Sequence, residues 1–348
     1  MQRAAEIAAQ VFTARDAMLR DTPEDLRVAF LLFDSAAETL MYRRTSLSIE
    51  LSFSSKSTSL ERLGWTVVNV DLNDFEQKGR YPSEWDARVE WRLSETQKRN
   101  IEREFDSKAK FLAWDGLLPT PLVSTLKRLH QYRNEMYHRE ESRPEALRIV
   151  AHVYAWLVAE LLERLGPGWF SSSSADPEDL LSRTLARMGR FASEGSDPFS
   201  RGLELQSEMA IVLREDLQLD DAPELLGRYV KSRVENMHEQ VEFCGEYIGE
   251  VRQVGSLTEM QVIRLLYAEG PVTDVLNPSV REVPVKRASL GRWDAWHTRI
   301  RELSDPIDAF RSLAEFEIEF EDFEAKVREM ALAIDREIQL QIDVARGK

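Results

Sequence analysis

The sequence predicts an all-α protein in two parts, and three observations carry that prediction. Apolar residues recur at three- and four-residue steps over most of the chain, the period of a helix with one buried face. One stretch, WTVVNVDL, reads as a short strand. The 348 residues, 43% hydrophobic and 31% charged, suffice for roughly two domains with a sizeable core.

The first strong element covers 26–41, where Leu26, Ala29, Phe30, Phe33, Ala37, Leu40 and Met41 line one helix face. Asp21-Thr22-Pro23-Glu24 precedes it with cap and first-turn chemistry. Residues 45–95 break the regularity. TSLSIELSFSSKSTS is Ser-rich, and the whole stretch reads as an insertion or mobile loop. Helical spacing resumes at Ser94-Glu95 and runs to about Trp114, with Gly116 as its stop. Pro119 and Pro121 open a helix from 122 to about 139, and Pro144 disfavours helix at Arg143, so a break is expected there. The next helix, 145–165, buries Leu147, Val150, Ala151, Tyr154, Val158, Leu161 and Leu165.

Gly166-Pro167-Gly168 and the serines at 171–174 form the clearest linker, which sets domains at 1–168 and 175–348. Two long helical elements follow. Leu226, Val230, Val234, Met237, Val241, Cys244, Ile248 and Val251 make one apolar seam, and Leu313, Phe316, Phe320, Phe323, Val327, Met330 and Ile334 make another. Such seams suit an antiparallel hairpin or a bundle. An irregular connection with Pro271, Pro278 and Pro284 lies between them.

Composition narrows the functional classes. The 15 Gly and 13 Pro follow no period, which excludes a fibrous fold, and the hydrophobic content excludes disorder throughout. The apolar run at 153–159 is far short of the ~20 residues of a membrane span. The charged start MQRAAEIAAQVF does not read as a secretory signal, and a lone Cys244 excludes a disulfide framework or a cysteine zinc site. The expected location is therefore the cytoplasm. The net charge of −15 is unevenly spread: residues 1–170 balance at −2 and the remainder at −13. The acidity belongs to the second part, and the first can still present a local basic patch to RNA.

The stretch that carries chemistry is LHQYRNEMYHRE, with Arg133, Asn134 and His138 as its polar skeleton. Arginine offers a permanently charged planar fork that matches phosphate oxygens. Histidine takes or gives a proton near neutrality, and asparagine fixes an imidazole tautomer or bonds a phosphate oxygen. Together they are parts for cutting RNA without a metal. The Arg-x4-His spacing recurs at Arg233/His238 and Arg292/His297, but there Val234 and Trp293 follow the arginine, which makes those two decoys. Five residues of ideal helix turn about 500°, so Arg133 and His138 sit roughly 140° apart. Either the helix unwinds near His138 or a second chain completes the site.

The chain resembles the HEPN superfamily of small all-α ribonucleases and RNA-binding domains. The resemblance rests on LHQYRNEMYHRE, on AFLLFDSAAETLMYR as a first core helix, and on IEREFDSKAKFLAWDGLLP leading into the motif, over roughly residues 20–165. It implies a four-to-five-helix bundle that dimerises around a composite cleft, with Arg133, Asn134 and His138 as a cofactor-free and metal-independent active site. Active members are endoribonucleases, often toxins or antiviral defence effectors, with an antitoxin or regulatory protein as a further partner. Silent members bind RNA or protein, so a non-catalytic module stands as the alternative.

Other residues divide between sharper and plainer readings. Asp34 and Glu38, one helical turn apart, are candidates to contact the motif helix and position Arg133, or else form a solvated face. His130 and His152 read as structural or exposed. Trp293, Trp296 and His297 read as the cap of a small core, and the acidic run Glu315, Glu317, Glu319, Glu321, Asp322 and Glu324 as a solvated helix face.

Overall fold

The computed structural model describes residues 2–53, 64–81, 88–138, 144–166, 198–219 and 221–346, with side chains for all of these except 2–5, 52, 134–138, 144–145 and 198–204. The fold is all-α, with one two-stranded sheet among the described residues. The chain forms two compact units, Met1–Leu225 and Leu226–Lys348.

In the first unit, α1 (Gln2–Arg20) leads into the 30-residue α2 (Pro23–Ser52). The Thr22 hydroxyl accepts from the Asp25 amide, and Pro23 occupies the first turn, where its missing N–H costs nothing. Every apolar position read on the 26–41 face is buried. Helix α2 lies against α1 and against α6 (Pro144–Leu165), and also meets α3 (Glu95–Arg103), α4 (Phe105–Trp114) and α5 (Pro121–His138). It is the axis of the unit's core.

Three sequence expectations change here. Part of the supposed insertion at 45–95 is regular structure, because α2 continues to Ser52. The hydroxyl of Thr45 turns back to the Tyr42 carbonyl (2.9 Å), so a polar residue inside the helix is satisfied locally. Further on, β1 (Thr66–Asn69) pairs in parallel with β2 (Val89–Arg92), Thr66 opposite Val89. Phe53, Val70, Val89, Trp91, Leu93, Ile101, Phe111 and Trp114 make a second apolar cluster around the pair. Gln97 ties it to α3: its side chain closes a capping box with Ser94 and its Nε2 donates to the Val70 carbonyl at 2.7 Å. Residues 54–63 and 82–87 lie outside the described residues.

The second change is a break in the helix read from Ser94 to Trp114. Glu104 is extended (φ −100°, ψ 130°) and ends α3 while starting α4. No Gly or Pro marks the break, and it places Phe105 flat against the His130 ring (centroids 4.1 Å apart, 7° between planes).

The third concerns the domain boundary. The linker beyond Gly166 and the residues that follow it, 167–197, lie outside the described residues, but α7 (Pro198–Leu217) belongs to the first unit and packs on α6 and α1. Leu205, Met209, Ala210 and Leu213 are buried, and Arg214 binds Glu160 (2.5 Å) and Glu163 (3.1 Å). The compact units therefore divide at Leu225/Leu226, in the first turns of α8 (Ala222–Arg252), rather than at the Gly-Pro-Gly segment.

The second unit contains α8 beyond Leu226, α9 (Glu259–Leu266), α10 (Arg287–Arg301) and α11 (Pro306–Ala345). Both long seams are buried over most of their length, although Val251 is exposed. The two long helices do not pair as an antiparallel hairpin. Arg233 meets Glu317 and Glu324 while Tyr247 meets Gln341, so α8 and α11 run in the same direction. Helix α10 is the antiparallel neighbour of both: His238 of α8 meets Asp294, and Trp296 Nε1 donates to the Ser312 hydroxyl of α11 (3.1 Å). Gly227 permits the close approach, since a Cβ there would sit 2.9 Å from the His297 carbonyl oxygen. Trp293 stacks on Phe323 (5.3 Å) and Trp296 leans on Phe316 (5.8 Å), so both tryptophans belong to the core.

The acidic run is not wholly solvated. Glu315, Glu319, Glu321 and Asp322 are exposed, but Glu317 and Glu324 are buried against Arg233. The Arg233 side chain is mostly covered; desolvation opposes its charge, but the two carboxylates outweigh it and hold the guanidinium protonated.

His238, the other half of that decoy, is held by Glu259 at Nδ1 (2.7 Å) and Asp294 at Nε2 (2.8 Å). Burial alone lowers its pKa, but the hydrogen bonds to Asp294 and Glu259 reverse the sign and raise it above the ordinary histidine value. A raised folded-state pKa gives stability that is complete below about 6.5, the unfolded value, and is lost as pH rises through the folded value. The melting temperature of the wild type is thus expected to fall across that interval by more than that of His238→Gln. Thermal scans at stepped pH check this, and parallel curves would refute it.

Candidate active site

The motif helix α5 meets the core where α2 carries a carboxylate inside its apolar stripe. Asp34 falls four residues after Phe30 and three before Ala37, and it is 1% exposed. An isolated carboxylate at that depth is expensive, so the sequence must supply donors around it. Two hydrogen-bond partners and a countercharge arrive from two helices. The Tyr154 hydroxyl, on α6, donates to Oδ1 at 2.6 Å. His130 Nδ1, on α5, meets the same oxygen at 2.8 Å. Arg133, one turn further along α5, forms an ion pair with Oδ2 at 3.3 Å. Residues three apart on a helix share a face, so His130 and Arg133 converge on one carboxylate without distortion.

The surroundings fix each group. Burial and then the charge of Asp34 push the Tyr154 hydroxyl well above its ordinary pKa, so it remains a donor. Phe30 packs edge-on to Tyr154 (5.2 Å) and to Tyr132 (6.1 Å), which holds the phenol in place. Phe105 stacks on one face of the His130 ring. Asp34 is closed off from solvent, yet the side chains of His130 and Arg133 retain 19% and 33% of their exposure. A buried anion thus presents two nitrogen-bearing groups at the surface.

Asp34 can only accept when ionised, so the nitrogen of His130 that faces it carries the proton. The neutral ring then has its lone pair on Nε2. Arg133 offers a fixed positive charge one turn away. The arrangement can take up a proton and bind an anion side by side.

The sequence-derived candidates fare differently. Asp34 and Arg133 are brought together. Glu38 Oε1 accepts from Lys108 Nζ of α4 (3.1 Å), a lysine that is 2% exposed. Asn134 and His138 lie on the last two turns of α5, which stays helical to His138, and their side chains lie outside the described residues. Unwinding of α5 before His138 is therefore not observed. His130, read as structural or exposed, is a member of the cluster, as is Tyr154. A carboxylate set into an apolar stripe at 30/34/37 was the available signal for Asp34, and Lys108 at 105/108/112 repeats it. His152 bonds the Arg148 carbonyl through Nδ1 (2.8 Å), within its own helix.

Among the described residues, no group of three or more His, Cys, Asp or Glu side chains is arranged to hold a metal ion. Cys244, in the second unit, is buried, and burial with Asp335 nearby pushes its thiol up to about 11. No helix of the described residues is long and apolar enough to cross a membrane. The chain matches no family model, no curated protein and no solved structure.

Proposed function

We propose that the first unit is a metal-independent endoribonuclease whose site is built on α5 around Arg133, Asn134 and His138. The observation that carries this reading is Arg133 itself, held half-exposed at the surface by a buried carboxylate. A guanidinium anchored on one side has its geometry fixed before the substrate arrives, which is what electrostatic stabilisation of a phosphorane-like transition state requires. Attack by the ribose 2′-hydroxyl forms the O2′–phosphorus bond, breaks the bond to O5′, and leaves a 2′,3′-cyclic phosphate and a 5′-hydroxyl. Arg133 meets the charge that builds on the non-bridging oxygens, and His138 moves a proton at the attacking or leaving oxygen.

Within one chain, about 140° of helix separates Arg133 from His138. This supports a homodimer in which two motif helices face one cleft. A toxin or antiviral defence effector, restrained by an antitoxin or regulatory protein in the cytoplasm, is the biological setting that fits such an activity.

The test is cleavage of single-stranded RNA in the presence of EDTA. Wild type is expected to cut, while Arg133→Ala loses about 10²–10³-fold, the cost of a lost oxyanion donor, and His138→Ala loses about 10²-fold or more. RNA binding without cleavage would replace the enzyme with a non-catalytic RNA-binding module. Neither binding nor cleavage would leave a protein-interaction module.

A further inference from the structure

On the carboxylate that holds Arg133, α5 places a second side chain of the same chain, the His130 imidazole. This bears on the proposed ribonuclease reading and rests on it. We infer that His130 is the general base of the site, and that Asp34 is its positioning residue.

Four observations combine. First, the bond between His130 Nδ1 and Asp34 (2.8 Å) fixes the tautomer, because an ionised carboxylate only accepts. The lone pair of the neutral ring is therefore on Nε2, at the opposite edge. Second, Phe105 covers one face of the ring at 4.1 Å and parallel within 7°, which favours this orientation. Third, Asp34 is 1% exposed while the His130 side chain is 19% exposed, so the anchored edge is inside and part of the ring reaches solvent. Fourth, Arg133 shares the same carboxylate through its other oxygen, so any phosphate bound by the guanidinium lies one helical turn from the imidazole.

Among the described residues, His130 meets Asp34 from α2 and Phe105 from α4, Arg133 of its own helix shares the carboxylate, and Tyr154 of α6 donates to it. A carboxylate that orients an imidazole also stabilises the imidazolium that forms on proton uptake.

The step balances as follows. His130 Nε2 takes the proton of the ribose 2′-hydroxyl. The oxygen's electron pair forms the bond to phosphorus, and the P–O5′ bond breaks with its pair going to O5′. The leaving oxygen takes a proton from the His138 imidazolium, which the two-chain cleft brings in. His130 thus takes the base role, and the acid role is left to His138.

The experiment uses the full chain and a fluorophore-tagged single-stranded oligoribonucleotide, with its 2′-deoxy copy as a control, in EDTA. His130→Asn keeps a donor for Asp34 but has no second nitrogen. It is expected to retain the wild-type melting curve and RNA affinity within about twofold while cleavage falls about 10²-fold or more. The acidic limb of the pH–rate profile should vanish in this variant and move in Asp34→Asn. Added imidazole should restore part of the rate to His130→Ala. Cleavage by His130→Asn within about threefold of wild type, alongside inactive Arg133→Ala and His138→Ala, overturns the base assignment and leaves the ribonuclease reading standing. Absence of cleavage by wild type overturns both. A nitrogen-15 spectrum that places the neutral-ring proton on Nε2 overturns the assignment whatever the activity.

Discussion

Asp34→Ala is expected to lower the unfolding free energy of the first unit by about 3–5 kcal/mol, the usual penalty for removing one partner of a buried ion pair. The reason is asymmetry. With the carboxylate gone, the Tyr154 hydroxyl stays buried with its acceptor removed, and the two α5 side chains lose their shared anchor. Each buried group left unsatisfied carries its own desolvation cost of about 1–3 kcal/mol. Removing the hydroxyl first should soften the blow, so Asp34→Ala in a Tyr154→Phe background is expected to cost less than in wild type. Denaturant melts of the four proteins close the cycle. A loss below about 1 kcal/mol for the single variant would mean that water reaches the site and that Asp34 is not the anchor.

In the second unit the comparable test is Arg233→Ala. The guanidinium lies between Glu317 (3.1 Å) and Glu324 (2.7 Å) and within 5.5 Å of the Phe316 and Phe320 ring centroids. Without it two buried carboxylates face each other among aromatic rings, and the expected loss is again about 3–5 kcal/mol. The informative comparison is the triple replacement Arg233→Met, Glu317→Leu, Glu324→Leu. Exchanging a buried charged set for apolar residues of similar volume is often neutral or stabilising, so the triple variant is expected to melt at or above the wild-type temperature. Calorimetry on both variants separates the value of the network from the cost of breaking it. A triple variant as unstable as the single one would show that the network sustains the packing of α8 on α11.

How far the sequence foretold this structure depends on whether the signal was periodic. The 26–41 and 145–165 faces and both long seams were legible because burial on a helix repeats every three to four residues. The Ser-rich continuation of α2 was not, since small polar residues such as Thr45, whose hydroxyl turns back to the Tyr42 carbonyl, leave no apolar mark. Glu104 broke a helix without glycine or proline, for a tertiary contact of Phe105 that no local rule encodes. The direction of α8 relative to α11 was invisible because a seam specifies a face and not a partner. In the candidate site, Asp34 and Arg133 were both named from the sequence. His130 was passed over because a histidine acquires meaning from what stands opposite it, and Asp34 is 96 positions away. Glu317 and Glu324 misled for the same reason: their countercharge is on another helix.

The return of α7 to the first unit sets a timetable for biosynthesis. Its buried residues Leu205, Met209, Ala210 and Leu213 cover α1 and α6, which are translated well before it. Ribosomes add about 5–20 residues per second, so the roughly fifty residues from the end of α6 to the end of α7 take several seconds to emerge. Throughout that delay the nascent chain carries an uncapped apolar flank, and it becomes a closed body only when the last of those turns has left the exit tunnel.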